Sequence, residues 1–242
     1  MSQRVLITGG TGSVGQALVS AFTGHGYEVH FQYQSQSLVA DALSEATGAE
    51  SFALSFDDAF ELPREDFDII VHCAGVNLSR VPIHEISDEE LSVTLAVNLV
   101  APFRITRACL PHMLNRNWGR IISIGSIYSL RGSSNNGSYN ISKHALTGMT
   151  KSLCSDYASR GITANDICPA AIESDMMRTI AARYESEGKG TSEEYLQAVR
   201  AANPTHRLAR PQEIASAALF LASEGAAFVN GSAILIDGGQ LA

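Results

Sequence analysis

The stretch GSYNISKHAL sets Tyr139 and Lys143 four residues apart. On a helix, residues i and i+4 are neighbours, so the pair reads in two ways. It is either the tip of an amphipathic helix beside an exposed lysine, or a proton donor beside a cation that tunes it. Adding hydride to a carbonyl builds negative charge on oxygen, which calls for a proton donor and a second hydrogen-bonding group. A phenol with its pKa of about 10 is brought toward neutrality by a nearby ammonium, which favours the phenolate. Ser126, at the end of the strand-like run GRIISIG, can bond the substrate oxygen, and it can equally serve as a strand-end cap. Asn98 lies within a long helical pattern and reads either as part of this constellation or as a locally satisfied polar residue.

A second candidate lies near the N-terminus. RVLIT is followed by TGGTGSVGQALV, in which Gly10-x-Gly12-x-x-Gly15 opens a helix. Backbone N–H groups at a helix N-terminus favour phosphate, and glycines permit the tight turn and close approach of a pyrophosphate. The alternative is a glycine-rich turn that only packs strand on helix. At the end of the second strand, where an acidic residue would hold the adenosine ribose, stand Tyr33 and Gln34. That removes the NAD signature. No Arg or Lys is there to pair a 2′-phosphate either, but Gln34, Ser35 and Ser37 can hydrogen-bond one and no carboxylate repels it, so the reading leans to NADP(H) over NAD(H).

These residues need elements to position them. The runs at 4–8, 27–33, 50–54, 68–74, 119–125, 162–168 and 233–237 read as strands, and between them apolar residues recur at i, i+3 and i+4. Such alternation predicts a doubly wound parallel sheet of about seven strands with helices on both faces, in one domain spanning 1–242. The polar, Gly-punctuated segment 178–204 reads as a helical excursion over the site, with its EGKG tip as a hinge.

Composition excludes several classes. The 242 residues are 45% hydrophobic and 17% charged, as in a globular α/β protein. No apolar run approaches the roughly 18 residues of a membrane span, and the chain opens straight into a strand, which predicts no leader and a cytoplasmic protein. A net charge of −8 argues against a nucleic-acid partner. The scattered Cys73, Cys109, Cys154 and Cys168 read as free thiols, with Cys109 and Cys154 as core or subunit contacts, and no His or Cys cluster suits a metal. His72 reads as a packed strand residue and His144 as a surface one. Arg116, Arg120 and Arg160 read as solvated charges that could steer an acidic carrier protein.

The motifs TGGTGSVG, HCAG (72–75), VNL around Asn98, SIGS ending at Ser126, YNISK from Tyr139, CPAAIESDM (168–176) and AILIDGG, in this order, resemble the short-chain dehydrogenase/reductase family along nearly the whole chain. The resemblance is to its single-domain form, near the 3-oxoacyl-carrier-protein reductases. It implies a Rossmann-type fold and an NAD(P)(H)-dependent oxidoreductase interconverting a ketone and a secondary alcohol. It implies catalytic roles for Asn98, which orders a water linked to the lysine, Ser126, Tyr139 and Lys143, the last also holding the nicotinamide ribose. The implied cofactor set is Gly9, Thr11, Gly12, Ser13, Val14, Gly15, Tyr33, Gln34, Ala74, Gly75, Asn98, Tyr139, Lys143, Pro169, Ile172 and Ser174, and substrate would meet Ser126, Tyr128, Tyr139 and Met176. A homotetramer built on two long helices, at about 88–115 and 139–160, is implied as well.

The chain departs from the family pattern at three places. Ser13 stands at the middle glycine of the loop, His72-Cys73 replaces Asn-Asn, and Ala170 replaces a glycine. The adenine contact is left open among Ser55, Asp57 and Asp58. The substrate is also open: an acyl or polyketide-like β-ketone, a cyclic alcohol or a sugar all suit the lining. A nucleotide-binding regulatory protein that lost catalysis is the non-enzyme alternative, which the presence of both Tyr139 and Lys143 disfavours.

Overall fold

The computed structural model describes residues 2–56 and 60–242. Each β-branched run forms a strand. In chain order the elements are β1 (Arg4–Ile7), α1 (Ser13–Gly24), β2 (Glu28–Tyr33), α2 (Ser37–Thr47), β3 (Glu50–Ala53), β4 (Ile69–His72), α3 (Asp88–Leu95), α4 (Ala101–Arg116), β5 (Gly119–Ile124), α5 (Gly137–Tyr157), β6 (Ile162–Pro169), α6 (Asp175–Ser186), α7 (Ser192–Ala201), α8 (Pro211–Ala222) and β7 (Ala233–Ile236). The seven strands pair in the order β3-β2-β1-β4-β5-β6-β7, parallel throughout.

The central strands are buried on both faces, which is why they read as unbroken apolar runs. Val5, Ile7, Val71, Ile122 and Ile167 pack with Leu18 and Phe22 of α1 and Ile214 and Leu221 of α8. Leu6, Ile70, Ile121 and Ala164 turn to the other face, against Ile105, Cys109 and Met113 of α4 and Leu153 of α5. The order reverses between β1 and β4, so the crevice at the C-terminal ends of these strands is where a doubly wound sheet receives its ligand.

Two helical features differ from the sequence reading. The helix expected over 88–115 is one 29-residue path, Asp88–Arg116, long and apolar enough by length and composition to cross a membrane. Its α4 portion instead packs into the core. That path is widened at Ala96–Val100 into a π turn, in which the Ala101 N–H bonds the Ala96 carbonyl. Pro102, at the start of α4, has no N–H to give the carbonyl of Asn98 four residues back, so one α-helical hydrogen bond is missing where the π turn meets α4.

Arg120, expected as a solvated charge, is among the largest fully buried side chains. Its guanidinium lies 4.3 Å from the Trp118 ring centroid, and Nη1 donates to the carbonyls of Gly119 at 2.9 Å and Gly161 at 3.2 Å. Burial lowers its pKa, opposed by Glu224 at 3.7 Å. Arg116 pairs with buried Asp68 at 3.0 Å, and Arg160 bonds the Asn117 side chain at 2.8 Å. Arg120→Ala leaves buried carbonyls without donors and Trp118 without its stacking partner, so it should lower stability by about 2–3 kcal/mol. Urea unfolding checks this, and a loss below about 0.5 kcal/mol, as for an exposed site, would contradict it.

Candidate active site

The glycine loop joins β1 to α1. Gly9 has φ +67°, and a Cβ there would meet the Ala74 Cα at 2.8 Å; one on Gly15 would meet the Gly9 carbonyl at 2.1 Å. A Cβ on Gly12 would meet nothing closer than 3.5 Å. Gly12 caps α1 without any side-chain hydrogen bond, so the first N–H groups of the helix face the cleft without a side-chain acceptor. The loop therefore fits a dinucleotide phosphate, with the backbone supplying the donors. Two side chains hold it in place. Buried Gln32 accepts from the Gly9 N–H at 2.9 Å and donates to the Leu54 carbonyl at 2.5 Å. Asp175, at the start of α6, accepts from the Ser13 hydroxyl at 2.9 Å while its own N–H donates back to Ser13 Oγ at 3.1 Å. The serine that replaces the middle glycine thus ties the phosphate loop to α6.

At the adenosine end, Tyr33, Gln34, Ser35, Gln36, Leu54 and Ser55 line the cleft. Gln34 Nε2 donates to Ser55 Oγ at 3.4 Å. Asp57 and Asp58 lie outside the described residues. The N-terminus of α2 opens here with no capping side chain and no acidic residue in its first turn.

At the other end Ser126, Tyr139 and Lys143 converge. The Ser126 hydroxyl accepts from the Tyr128 N–H at 3.1 Å and acts on the Tyr139 phenol to lower its pKa. Lys143 is buried, its Nζ 5.5 Å from the Tyr139 ring centroid, and it donates to the Ile124 carbonyl at 2.7 Å. Burial brings this lysine down to about 8. The phenol does not descend with it. Burial holds Tyr139 up at about 12, against the lowering by Ser126, while Tyr128 and Cys168 push it the same way as burial. In this conformation Nζ is bonded to the backbone of β5, and burial dominates the phenol.

Asn98 is buried in the π turn. Its Oδ1 accepts from the Val76 N–H at 2.8 Å, and its Nδ2 donates to the Val76 carbonyl and to Ser142 Oγ, both at 3.0 Å. Its amide thus fixes the chain after β4. Gly75 keeps the space between Asn98 and Lys143 open: a Cβ there would stand 3.4 Å from Asn98 Oδ1 and 3.7 Å from Lys143 Nζ.

One cleft of about 1110 Å³ joins both ends, lined by Gly9, Gly12, Gly15, Ala74, Gly75, Ser126, Tyr128, Tyr139, Lys143, Pro169, Ile172, Ser174 and Met176. Thr11, Ser13 and Val14 belong to the same wall. Asn98 stands behind the wall. The Ser174 hydroxyl caps α6 by accepting from the Met177 N–H at 3.3 Å. Tyr195, Ala198 and Val199 of α7 cover the Tyr139 end, and Tyr195 accepts from Arg80 at 2.5 Å. Arg131 lies 6.0 Å from the Tyr128 ring, which meets the Tyr139 ring edge-on at 6.5 Å. Two guanidiniums missed in the sequence reading therefore stand at this end of the cleft. His72 and His144 take no part; His72 shares a hydrogen bond with Thr106 at 2.8 Å, and exposed His144 bonds the Asn140 carbonyl.

A phosphate loop at one end of a switch-point crevice and a hydroxyl pair beside a buried ammonium at the other define a nucleotide-dependent oxidoreductase of carbonyl and secondary-alcohol groups. Residues 9–240 match the family described as Enoyl-(Acyl carrier protein) reductase. The 3-oxoacyl-[acyl-carrier-protein] reductase FabG of Escherichia coli is 32% identical over 97% of this chain and 96% of its own length, and the acetoacetyl-CoA reductase of Rhizobium meliloti 30% over 99% of each. Among solved structures, actinorhodin polyketide ketoreductase with NADPH superposes with a TM-score of 0.91 at 26% identity, covering 99% of this chain and 97% of that one. A Beutenbergia cavernae protein described as an NAD(P) dependent gluconate 5-dehydrogenase gives 0.85 at 28%, covering 99% and 96%. The chain belongs to the short-chain dehydrogenase/reductase family, close to its 3-oxoacyl-carrier-protein reductase members, and is NAD(P)(H)-dependent.

Proposed function

We propose that this protein is an NADPH-dependent ketoreductase of β-ketoacyl thioesters. The observation that carries this reading is that Ser126, Tyr139 and buried Lys143 line one cleft, which offers two hydroxyls to one substrate oxygen beside an ammonium. When bound, the reduced nicotinamide supplies hydride to the carbonyl carbon. Tyr139 delivers its phenolic proton to the developing alkoxide, a far stronger base than a phenolate, so a donor held at about 12 is still matched to the step. Ser126 shares the charge on that oxygen. Lys143 stabilises the phenolate left behind and takes the nicotinamide ribose, and Asn98 holds the chain beside it. Two hydroxyls on one oxygen suit a C=O bond better than an isolated C=C bond, which favours ketone over enoyl reduction.

The uncapped, acid-free start of α2 beside Gln34 and Ser35 supports NADPH. Arg80 and Arg131 favour a substrate with an anionic portion, as on the carrier arm of a thioester. The same observation favours a second reading, a sugar acid, which the gluconate dehydrogenase neighbour makes concrete. The exposed Val100 in the π turn, Phe103 on α4 and Ile141 on α5, with Phe228 near the C-terminus, support a homotetramer, and a monomer mass by light scattering would contradict it.

Two experiments test the reading. Titration of NADPH and NADH, followed by turnover of acetoacetyl-CoA, a small neutral ketone and a keto sugar acid, should show at least about tenfold preference for NADPH and for the thioester. Preference for NADH removes the cofactor assignment, and turnover of the sugar acid alone removes the thioester. Tyr139→Phe deletes only a hydroxyl, so NADPH affinity should hold while turnover falls at least about 100-fold. A variant that kept a tenth of wild-type turnover, with a deuterated-cofactor isotope effect showing chemistry to be rate-limiting, would end the assignment of Tyr139 as donor.

A further inference from the structure

On the sheet face that meets α4 and α5, adjacent strands align in rows. One row runs through Leu6, Ile70, Ile121 and Ala164 and is wholly apolar. Two residues nearer the active site, the next row is His72, Ser123 and Asp166: His72 pairs in register with Ser123, and Ser123 with Asp166. All three are buried, Asp166 with no exposed surface at all. His72 Nδ1, Ser123 Oγ and Asp166 Oδ2 have no hydrogen-bond partner among the described residues.

A carboxylate in such a place is costly unless a charge compensates it. The helix above carries that charge. Lys143, Thr147 and Thr150 follow one stripe of α5. Thr150 donates to Asp166 Oδ1 at 2.6 Å, the Thr147 hydroxyl donates to the Lys143 carbonyl at 3.4 Å, and Lys143 bonds the carbonyl of Ile124, one residue beyond Ser123. We infer that Asp166 is a positioning residue for Lys143, a buried counter-charge beneath the active site that holds the lysine in its ammonium form. The inference rests on the reading of Lys143 as the cation of the site.

The electrostatics agree with this placement. Burial raises Asp166 and lowers Lys143, and each group's charge favours the charged form of the other. The other groups facing the pair are Cys73 after β4, Cys168 on β6, Tyr139 and Lys151 on α5, and His72 on β4. The Cys73 and Cys168 thiols are pushed up by burial to about 12 and about 11, so they are neutral at physiological pH, and burial brings His72 down to about 3, so it is uncharged as well. Asp166 is thus the one carboxylate among the groups that act on Lys143.

A carboxylate raises the pKa of a neighbouring lysine, so its removal lets the ammonium lose its proton at lower pH. Asp166→Asn should move the alkaline limb of kcat/KM for ketone reduction down by roughly one pH unit, and leave the acid plateau within about threefold of wild type. The pH at which NADPH affinity weakens, read by fluorescence titration, should fall by the same amount. That second readout needs no substrate, so an error in the thioester reading would leave it intact. A uniform loss at all pH with both limbs unmoved would overturn the inference and leave Asp166 a packing residue. If Asp166→Asn fails to fold, Thr150→Val removes the hydrogen bond that favours the carboxylate. It must then shift both limbs in the same direction by a smaller amount, and unmoved limbs in the folded variant overturn the inference equally.

Discussion

Burying an ammonium at the C-terminal edge of a parallel sheet is the constraint on which this site turns. Lys143 sits 4% exposed, with Nζ on the Ile124 carbonyl. A buried cation needs acceptors, a route for its stem and a reason to stay charged. Strand β5 supplies the acceptor by ending one residue before Gly125, and α5 supplies the route by lying across β5 and β6. Gly75 leaves the space beside Nζ empty of side chain. The chemistry that follows is set by environment more than by residue type, since burial drives the phenol up and the lysine down.

The phosphate end obeys a different economy. Its donors are backbone groups, so the sequence must hold a loop in place without filling it with side chains. Gln32 does so from below, through Gly9, and Asp175 from above, through Ser13. The second link couples the glycine loop to α6, which carries Met176 and, through α7, Tyr195. The glycine loop and the start of α6 therefore share a hydrogen bond, although they are 162 positions apart in the chain.

What could be read from the sequence had a local signature. The central strands announce themselves as β-branched runs because both faces of the sheet are covered there. Gly10, Gly12 and Gly15 speak through spacing, and Tyr139 with Lys143 through helical period. Features made by distant contacts stayed hidden. Arg120 looks solvated until Trp118, Gly161 and Glu224 gather round it. The π turn at Ala96–Val100 runs up to Pro102, whose position was visible and whose consequence for Asn98 was not. Arg80 and Arg131 could be placed in the cleft only once α7 and Tyr128 were. The bond from Lys143 to the Ile124 carbonyl was hidden too, because sequence spacing gives proximity and says nothing about where Nζ points.

The account stands or falls on the protonation of Lys143. The measurement that addresses it most directly is the pH dependence of kcat/KM for NADPH-driven ketone reduction by the wild-type protein, with chemistry established as rate-limiting. A lysine lowered to about 8 is an ammonium below that pH and loses its charge above it, while Tyr139 keeps its proton throughout. The profile should be level through neutrality and then fall about tenfold per unit above pH 8. A profile that stayed level to about pH 10, the range of an unperturbed lysine, would contradict the claim that burial of this ammonium governs the site.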